Sequence, residues 1–205
     1  MKKNLFLQGD IGVGKSKMIR ENLLPYLAKA GGFFVQRIFI GDSYAGFKLN
    51  PLRGVEEYQL NKNVDNLKEV DNLFLYGDEK GNWHKNMQVF ENSGRAYLKK
   101  SLATKKNLIL LDELGGIELD CPVFMEVVME VLDSGIPALG VLKSPQNVEK
   151  LESGLGDKLQ NVELEDSYLK RMKNHPQMEL LEVTETNYQE VNSKIKAFVE
   201  AACTK

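Results

Sequence analysis

Short apolar runs alternate with amphipathic stretches along the 205 residues of the chain. Leu5-Phe6-Leu7 reads as a buried strand, and Ser16 to Ala30 reads as a helix closed by Gly31-Gly32, residues that favour a helix C-terminus. Phe33 to Ile40 and Ala45 to Leu49 are extended segments joined by the turn residues Gly41-Asp42-Ser43, which predicts a hairpin. Residues 51–72 are polar and rich in Asn, with weak periodicity; this predicts a mobile loop with room for one short helix. A second hairpin is expected where Leu73-Phe74-Leu75-Tyr76 and Trp83-His84 flank Gly77-Asp78-Glu79-Lys80-Gly81. A helix from about Gln88 to Thr104 leads into Leu108-Ile109-Leu110-Leu111, the clearest central strand. A helix from Val123 to Asp133 follows, with Val123, Val127, Val128, Val131 and Leu132 as its packing face, and Ser134-Gly135 stops it. Strand Ala138 to Leu142, late strands Leu159 to Leu164 and Leu180 to Val183, and a closing helix Asn187 to Ala202 complete the pattern. Such alternation predicts an α/β fold: a mainly parallel central sheet, helices on both faces, and antiparallel hairpin additions. Neither a repeat nor a linker is visible, and the length fits one domain, 1–205.

Composition narrows the partners. With 42% hydrophobic and 27% charged residues the chain has the makings of a core, which excludes wholesale disorder. Lys and Arg number 27 against 29 Asp and Glu, a formal charge of −2, so no basic excess marks a dedicated binder of nucleic acid or anionic membrane. The apolar run after Met1-Lys2-Lys3 stops at Gln8-Gly9-Asp10, short of the roughly seven residues a signal core needs. No stretch approaches the roughly 18 apolar residues of a membrane span. Cys121 and Cys203 lie far apart without CxxC spacing, a usage that suits a reducing compartment. The expectation is a soluble, cytoplasmic protein. His84 and His175 are isolated and read as surface or core histidines rather than metal ligands.

One segment carries clear chemistry. Gly9-Asp10-Ile11-Gly12-Val13-Gly14-Lys15-Ser16 is a full GxxxxGK[ST] phosphate-binding loop between a strand and a helix. Glycines let the backbone wrap closely round phosphate with successive N–H groups pointing inward. The helix that opens at the loop's end adds its positive N-terminal dipole. Lys15 can reach the β- and γ-phosphates, and the Ser16 hydroxyl can ligate Mg²⁺. The candidate nucleotide-binding set is therefore Gly9, Asp10, Ile11, Gly12, Val13, Gly14, Lys15, Ser16 and Lys17. A second signal is Asp112-Glu113 at the end of the apolar run Leu108 to Leu111. An acidic residue there holds Mg²⁺ through water, the role expected of Asp112. Glu113, one residue on, can orient or deprotonate the attacking water, and with Lys15 it forms the candidate catalytic pair.

Together these segments resemble the THEP-type nucleoside-triphosphatases, small P-loop proteins, from Gly9 to Val191. Gly31-Gly32-Phe33-Phe34-Val35 with Ala45-Gly46-Phe47-Lys48-Leu49 resembles the family's paired "GGF" and "GF" hairpin. Asp112-Glu113-Leu114-Gly115-Gly116-Ile117-Glu118-Leu119 resembles its "DEIGxME" segment. Ile136-Pro137-Ala138-Leu139-Gly140-Val141 is similar to the strand that follows, and Val183-Thr184-Glu185-Thr186-Asn187 to its "VTxxN" motif. The resemblance implies a P-loop NTPase fold and broad acceptance of nucleoside triphosphates such as ATP or GTP. Three family cations are replaced: Tyr44 or Ala45 stands for an Arg, Gly116 for a Lys, and Tyr188 for an Arg.

Three functions stay open at the level of sequence. The leading one is Mg²⁺-dependent hydrolysis of the γ-phosphate to NDP and phosphate. A kinase passing that phosphate to a nucleotide or other small molecule is the runner-up. A nucleotide-switched binding protein with little turnover is the third, and the replaced cations favour it. Of Arg20, Arg37, Arg53, Arg95 and Arg171, none is assigned to the phosphates; Arg20 is expected to be solvated. Asn61-Lys62-Asn63-Val64-Asp65 departs from a guanine-reading motif by one residue, so no base preference is read. Trp83 and Tyr188 are candidates for stacking on a base, with core packing as the simpler role.

Overall fold

The computed structural model describes residues 2–144, 146–149 and 167–204. Among the described residues nine strands form one mixed sheet: β1 (Asn4–Gly9), β2 (Ala30–Ile40), β3 (Ser43–Pro51), β4 (Asn61–Asn63), β5 (Leu73–Gly77), β6 (Trp83–Lys85), β7 (Leu108–Leu114), β8 (Ala138–Leu142) and β9 (Met178–Val183). The order across the sheet is β6-β5-β3-β2-β7-β8-β1-β9, with β4 beside β2. The run from β2 to β9 is parallel, whereas β3, β5 and β6 pair antiparallel at one edge. The α-helices that frame the sheet among the described residues include α1 (Lys15–Leu23), α2 (Arg95–Ala103), α3 (Pro122–Asp133), α4 (Tyr168–Lys173) and α5 (Tyr188–Cys203).

Side-chain alternation along the strands splits the core into two layers. Leu5, Leu7, Phe34, Leu108 and Leu110 face one way, onto Met18, Ile19 and Leu23 of α1 and Ile195 and Val199 of α5. Phe6, Phe33, Val35, Ile109 and Leu111 face the other way, onto Leu98 of α2 and Phe124, Val128 and Val131 of α3. Both faces of the central strands are covered, which is why their sequences are apolar without alternation. The ring pairs Phe33–Phe124 and Phe90–Phe124, with centroids 5.8 and 5.3 Å apart, knit β2, the turn before α2, and α3 together.

Most expected elements are present, and the departures have physical causes. The first helix ends at Leu23 and passes through a 3₁₀ segment, Leu24–Lys29, into β2, so Gly31-Gly32 lies inside a strand rather than at a helix end. Gly32 has φ +95°, and a Cβ there would sit 2.0 Å from the Leu110 carbonyl oxygen: the glycine allows β2 to approach β7. The region expected to be a mobile loop instead contributes β4, pairing parallel with Arg37 to Phe39. It is anchored by Leu52 and by Tyr58, which is fully buried and packs its ring 4.7 Å from Phe34. The helix expected from Gln88 starts with a π-helical stretch, Val89–Gly94, before α2. Val123 is 45% exposed and leaves the packing face of α3 to Phe124, Val127, Val128, Val131 and Leu132. The late strand expected at Leu159 to Leu164 lies outside the described residues.

Candidate active site

The sheet order brings the chemistry to one end. The loop after β1 and the acidic pair ending β7 both lie at the C-terminal ends of parallel strands, with β8 between them. Such crevices are where open α/β sheets take ligands. Gly9, Gly12 and Gly14 all have positive φ, at 136°, 88° and 97°. At Gly9 the demand is also steric, because a Cβ would fall 2.3 Å from the Val183 carbonyl oxygen of β9. The loop is thus pinned between β9 and its own helix. Lys15, at the start of α1, donates from Nζ to the carbonyls of Gly9 and Asp10 at 2.7 and 2.6 Å. Burial lowers its pKa, and the carboxylates of Glu113 and Asp10 oppose that shift.

The two sequence signals meet. Ser16 Oγ donates to Asp112 Oδ1 at 3.0 Å, across 96 residues of chain. Asp112 is fully buried, and its second oxygen accepts from the Val35 N–H at 3.4 Å. Burial first, and then the neighbouring charge of Glu113, raise its pKa well above the ordinary carboxylate range. A buried carboxylate and hydroxyl at this spacing are the hard oxygen donors that suit Mg²⁺, whose remaining positions are commonly filled by water and phosphate. Among the described residues no cluster of three or more His, Cys, Asp or Glu could hold an ion by itself. The two oxygen donors, Ser16 Oγ and Asp112 Oδ1, fit a Mg²⁺ ion that takes its other ligands from water and phosphate.

Glu113 departs from strand geometry. Its φ is +58°, and the β7–β8 register shifts between Leu111 and Leu114. A non-glycine residue held in the left-handed region is strained by roughly 1–2 kcal/mol. Two features hold it there. Lys143, just past β8, donates from Nζ to the Glu113 carbonyl at 3.4 Å. Glu118, almost completely buried, accepts from the Gly115 and Gly116 N–H groups through one oxygen at 2.5 and 2.7 Å. The Glu113 carboxylate projects into a cleft of about 810 Å³ that also exposes Gly12, Gly14, Lys15, Ser16 and Lys17. Arg37 of β2 reaches into the same cleft, Nη2 lying 3.7 Å from Glu113 Oε1.

Several of these residues were invisible to sequence reasoning. Arg37 has no local signal, because only the β2–β7 pairing carries it beside Glu113. Lys143 follows the predicted strand Ala138 to Leu142, and the order β7-β8-β1 was the missing information. Asn147 donates to the Gly9 carbonyl at 3.3 Å from a polar region with no motif. Glu118 lies in the segment Asp112 to Leu119, and its spacing from Gly115-Gly116 is the signal the sequence offers. Arg20, expected to be solvated, donates to the Tyr58 carbonyl and lies over the Tyr58 ring at 5.8 Å. Of the positions where family cations are replaced, Tyr44 lines the cleft and the Tyr188 ring lies against Gly14, 3.1 Å from where a Cβ would be. His84 and His175 pair with Asp78 and Asp133 at 2.9 and 3.0 Å.

The sequence profile of a family described as NTPase matches residues 4–196. The chain belongs to that NTPase family. Nucleoside-triphosphatase THEP1 of Thermotoga petrophila is 32% identical over 151 residues, which is 73% of this chain and 78% of that protein. A mouse protein, the cancer-related nucleoside-triphosphatase homolog, is 25% identical over 166 residues, covering 71% of this chain and 78% of its own. The crystal structure of THEP1 from Aquifex aeolicus superposes with a TM-score of 0.61 at 16% identity, covering 96% of this chain and 99% of that one. The solution structure of a human cancer-related nucleoside triphosphatase gives 0.62 at 18% identity, covering 97% and 98%. This NTPase chain has the P-loop α/β fold of those structures. No helix among its described residues is long and apolar enough to cross a membrane.

Proposed function

We propose that the protein is a Mg²⁺-dependent nucleoside-triphosphatase that releases NDP and phosphate from nucleoside triphosphates such as ATP or GTP. The observation that carries this reading is the convergence of Lys15, Ser16 and Glu113 on one cleft, with buried Asp112 hydrogen-bonded to Ser16 behind it. The loop N–H groups and the α1 dipole would cradle the phosphates, and Lys15 would move from the Gly9 and Asp10 carbonyls onto the β- and γ-phosphates. Ser16 and Asp112 would hold Mg²⁺, the latter through water; bound there, the ion supplies neutralisation of the phosphate charge. Glu113 would accept a proton from, or orient, the water that attacks the γ-phosphorus. Arg37 and Lys143 supply positive charge near that position, where the replaced family cations leave a deficit.

A kinase must keep water from the γ-phosphate, and the Glu113 carboxylate, which lines the cleft 3.7 Å from Arg37, favours water activation instead. Two buried free thiols suit a reducing cytoplasm. The testing experiment is turnover of ATP and GTP with Mg²⁺, with and without candidate acceptors, in the wild type and in Lys15→Ala. Acceptor-independent phosphate release that collapses in Lys15→Ala supports hydrolysis at this loop. Acceptor-dependent turnover, or tight binding without turnover, would move the function to the kinase or the switch.

A further inference from the structure

The cleft is larger than the phosphate chemistry needs, and its two ends are chemically different. One end is the loop with Lys15, Ser16 and Glu113. The other is a wall of rings from β2, β3 and β5: Phe39, Tyr44, Phe47 and Phe74. These rings form a connected cluster, with Tyr44 centred 5.8 Å from Phe39, 5.1 Å from Phe47 and 5.6 Å from Trp83, and with Phe47 stacked 5.9 Å from Phe74. Tyr44 keeps 38% of its surface exposed although it sits among apolar neighbours. A hydrolase acting on water has no use for such a chamber.

Sheet order says which part of a triphosphate would face it. This step rests on the proposed function, in which the γ-phosphate points at Glu113. Glu113 lies near the end of β7, and the rings lie beyond it on β2, β3 and β5. The other end of the triphosphate then runs away from Glu113, towards β9. There a second, polar hollow of about 460 Å³ opens between Asp10 to Val13 and Glu182 to Glu185. A base reaching the ring wall would have to fold back past its own γ-phosphate. The ring wall is thus left for another molecule.

The polar groups define that molecule further. Among the described residues lining the cleft, Lys15, Lys17, Arg37 and Lys143 are cationic and only Glu113 is acidic. Lys15 and Lys17 open α1 at the phosphate loop and Lys143 is engaged with the Glu113 carbonyl, which leaves Arg37, 44% exposed at its side chain, next to the rings. Asn61 pairs beside Arg37 on β4 and lines the same space. The Tyr44 phenol, whose pKa is raised by its packing and by the charge of Glu113, offers a neutral hydroxyl near pH 7. Rings stack on rings, and a guanidinium pairs with an anion.

We propose that the ring-walled end of the cleft is a second ligand site, taking a planar aromatic small molecule that carries an anionic group and is held alongside the nucleotide. Trp83 is the sole tryptophan of the chain and packs on Tyr44, so its emission reports occupancy. The probe is 1-anilinonaphthalene-8-sulfonate, a planar aromatic anion that accepts energy from tryptophan. It is titrated into the full chain while Trp83 quenching is followed, alone and with saturating Mg²⁺ and β,γ-imido-ATP. Calorimetry verifies that the analogue is bound. The expected result is one probe per chain, with affinity changed less than about threefold by the analogue. Tyr44→Ala should weaken the probe at least tenfold and Arg37→Gln several-fold, while Tyr44→Ala retains analogue affinity. Displacement of the probe by imido-ATP but not by inorganic imidotriphosphate would overturn the proposal, since the base would then own the chamber. So would a probe affinity indifferent to both substitutions. Failure of the analogue to bind at all would instead overturn the proposed function on which the site depends.

Discussion

Replacing Glu113 by Gln isolates the proposed chemical role better than any other change. The amide keeps the side chain's size and one acceptor oxygen, and the +58° backbone at this position is no harder for Gln than for Glu. Its partner Arg37, 3.7 Å away and 44% exposed at its side chain, can turn to solvent when the carboxylate goes, so the fold should hold. What disappears is the base. General-base groups contribute about 10²–10⁴-fold, equivalent to roughly 3–5 kcal/mol of barrier, and this is the expected fall in kcat. Nucleotide affinity should not fall with it. Glu113 is the second cause of the raised Asp112 pKa, so its removal makes Asp112 easier to ionise and Mg²⁺ easier to hold. Steady-state phosphate release paired with calorimetric titration of Mg·imido-ATP separates the two effects. Hydrolysis by Glu113→Gln within a few-fold of wild type would refute the base assignment.

Asp112→Asn should cost binding and Mg²⁺ dependence as well as rate, yet stabilise the nucleotide-free protein at neutral pH. The folded state raises the Asp112 pKa from 3.8 to about 7, so its stabilising contribution is complete below about pH 4 and is lost as pH rises through 7. The penalty at pH 8 is on the order of a few kcal/mol. Urea midpoints at pH 5 and 8 check this, and a variant less stable than wild type at pH 8 would contradict it. Glu118→Ala leaves the buried Gly115 and Gly116 N–H groups without their acceptor and should cost about 3 kcal/mol, whereas Glu118→Gln keeps the oxygen and recovers most of it. Equal denaturation midpoints for the two variants would count against that role. Gly32→Ala should destabilise by several kcal/mol, because the Cβ would sit 2.0 Å from the Leu110 oxygen at a φ of +95°. Thermal unfolding of that variant near the wild-type temperature would show that β2 and β7 can part.

Local signals were legible where the chemistry is contiguous in sequence. The phosphate loop motif needs two glycines, a lysine and a hydroxyl at fixed places within eight residues, and the structure brings its Ser16 to Asp112. Strands covered on both faces, such as β7 and β8, announce themselves as apolar runs. Hairpins at β2–β3 and β5–β6 were marked by turn residues. Long-range pairing was not legible. Nothing local distinguishes a Gly-Gly that ends a helix from one that lets two strands approach, and only Leu110 decides it. Likewise the polar stretch containing β4 hides Tyr58, whose burial depends on Phe34 and Arg20 across the chain. Arg37, Lys143 and Asn147 reach the site through sheet order, which a single sequence does not display.

The central claim is that water, activated beside Glu113, attacks the γ-phosphorus of a triphosphate seated in the Gly9–Ser16 loop. Turnover of ATP in H₂¹⁸O with Mg²⁺, followed by mass analysis of both products, tests it directly. The account predicts one solvent oxygen in each phosphate released, none in ADP, and loss of the labelled phosphate in Lys15→Ala and Glu113→Gln. Label in ADP, labelled phosphate undiminished in both variants, or no labelled phosphate until an acceptor is added would contradict it.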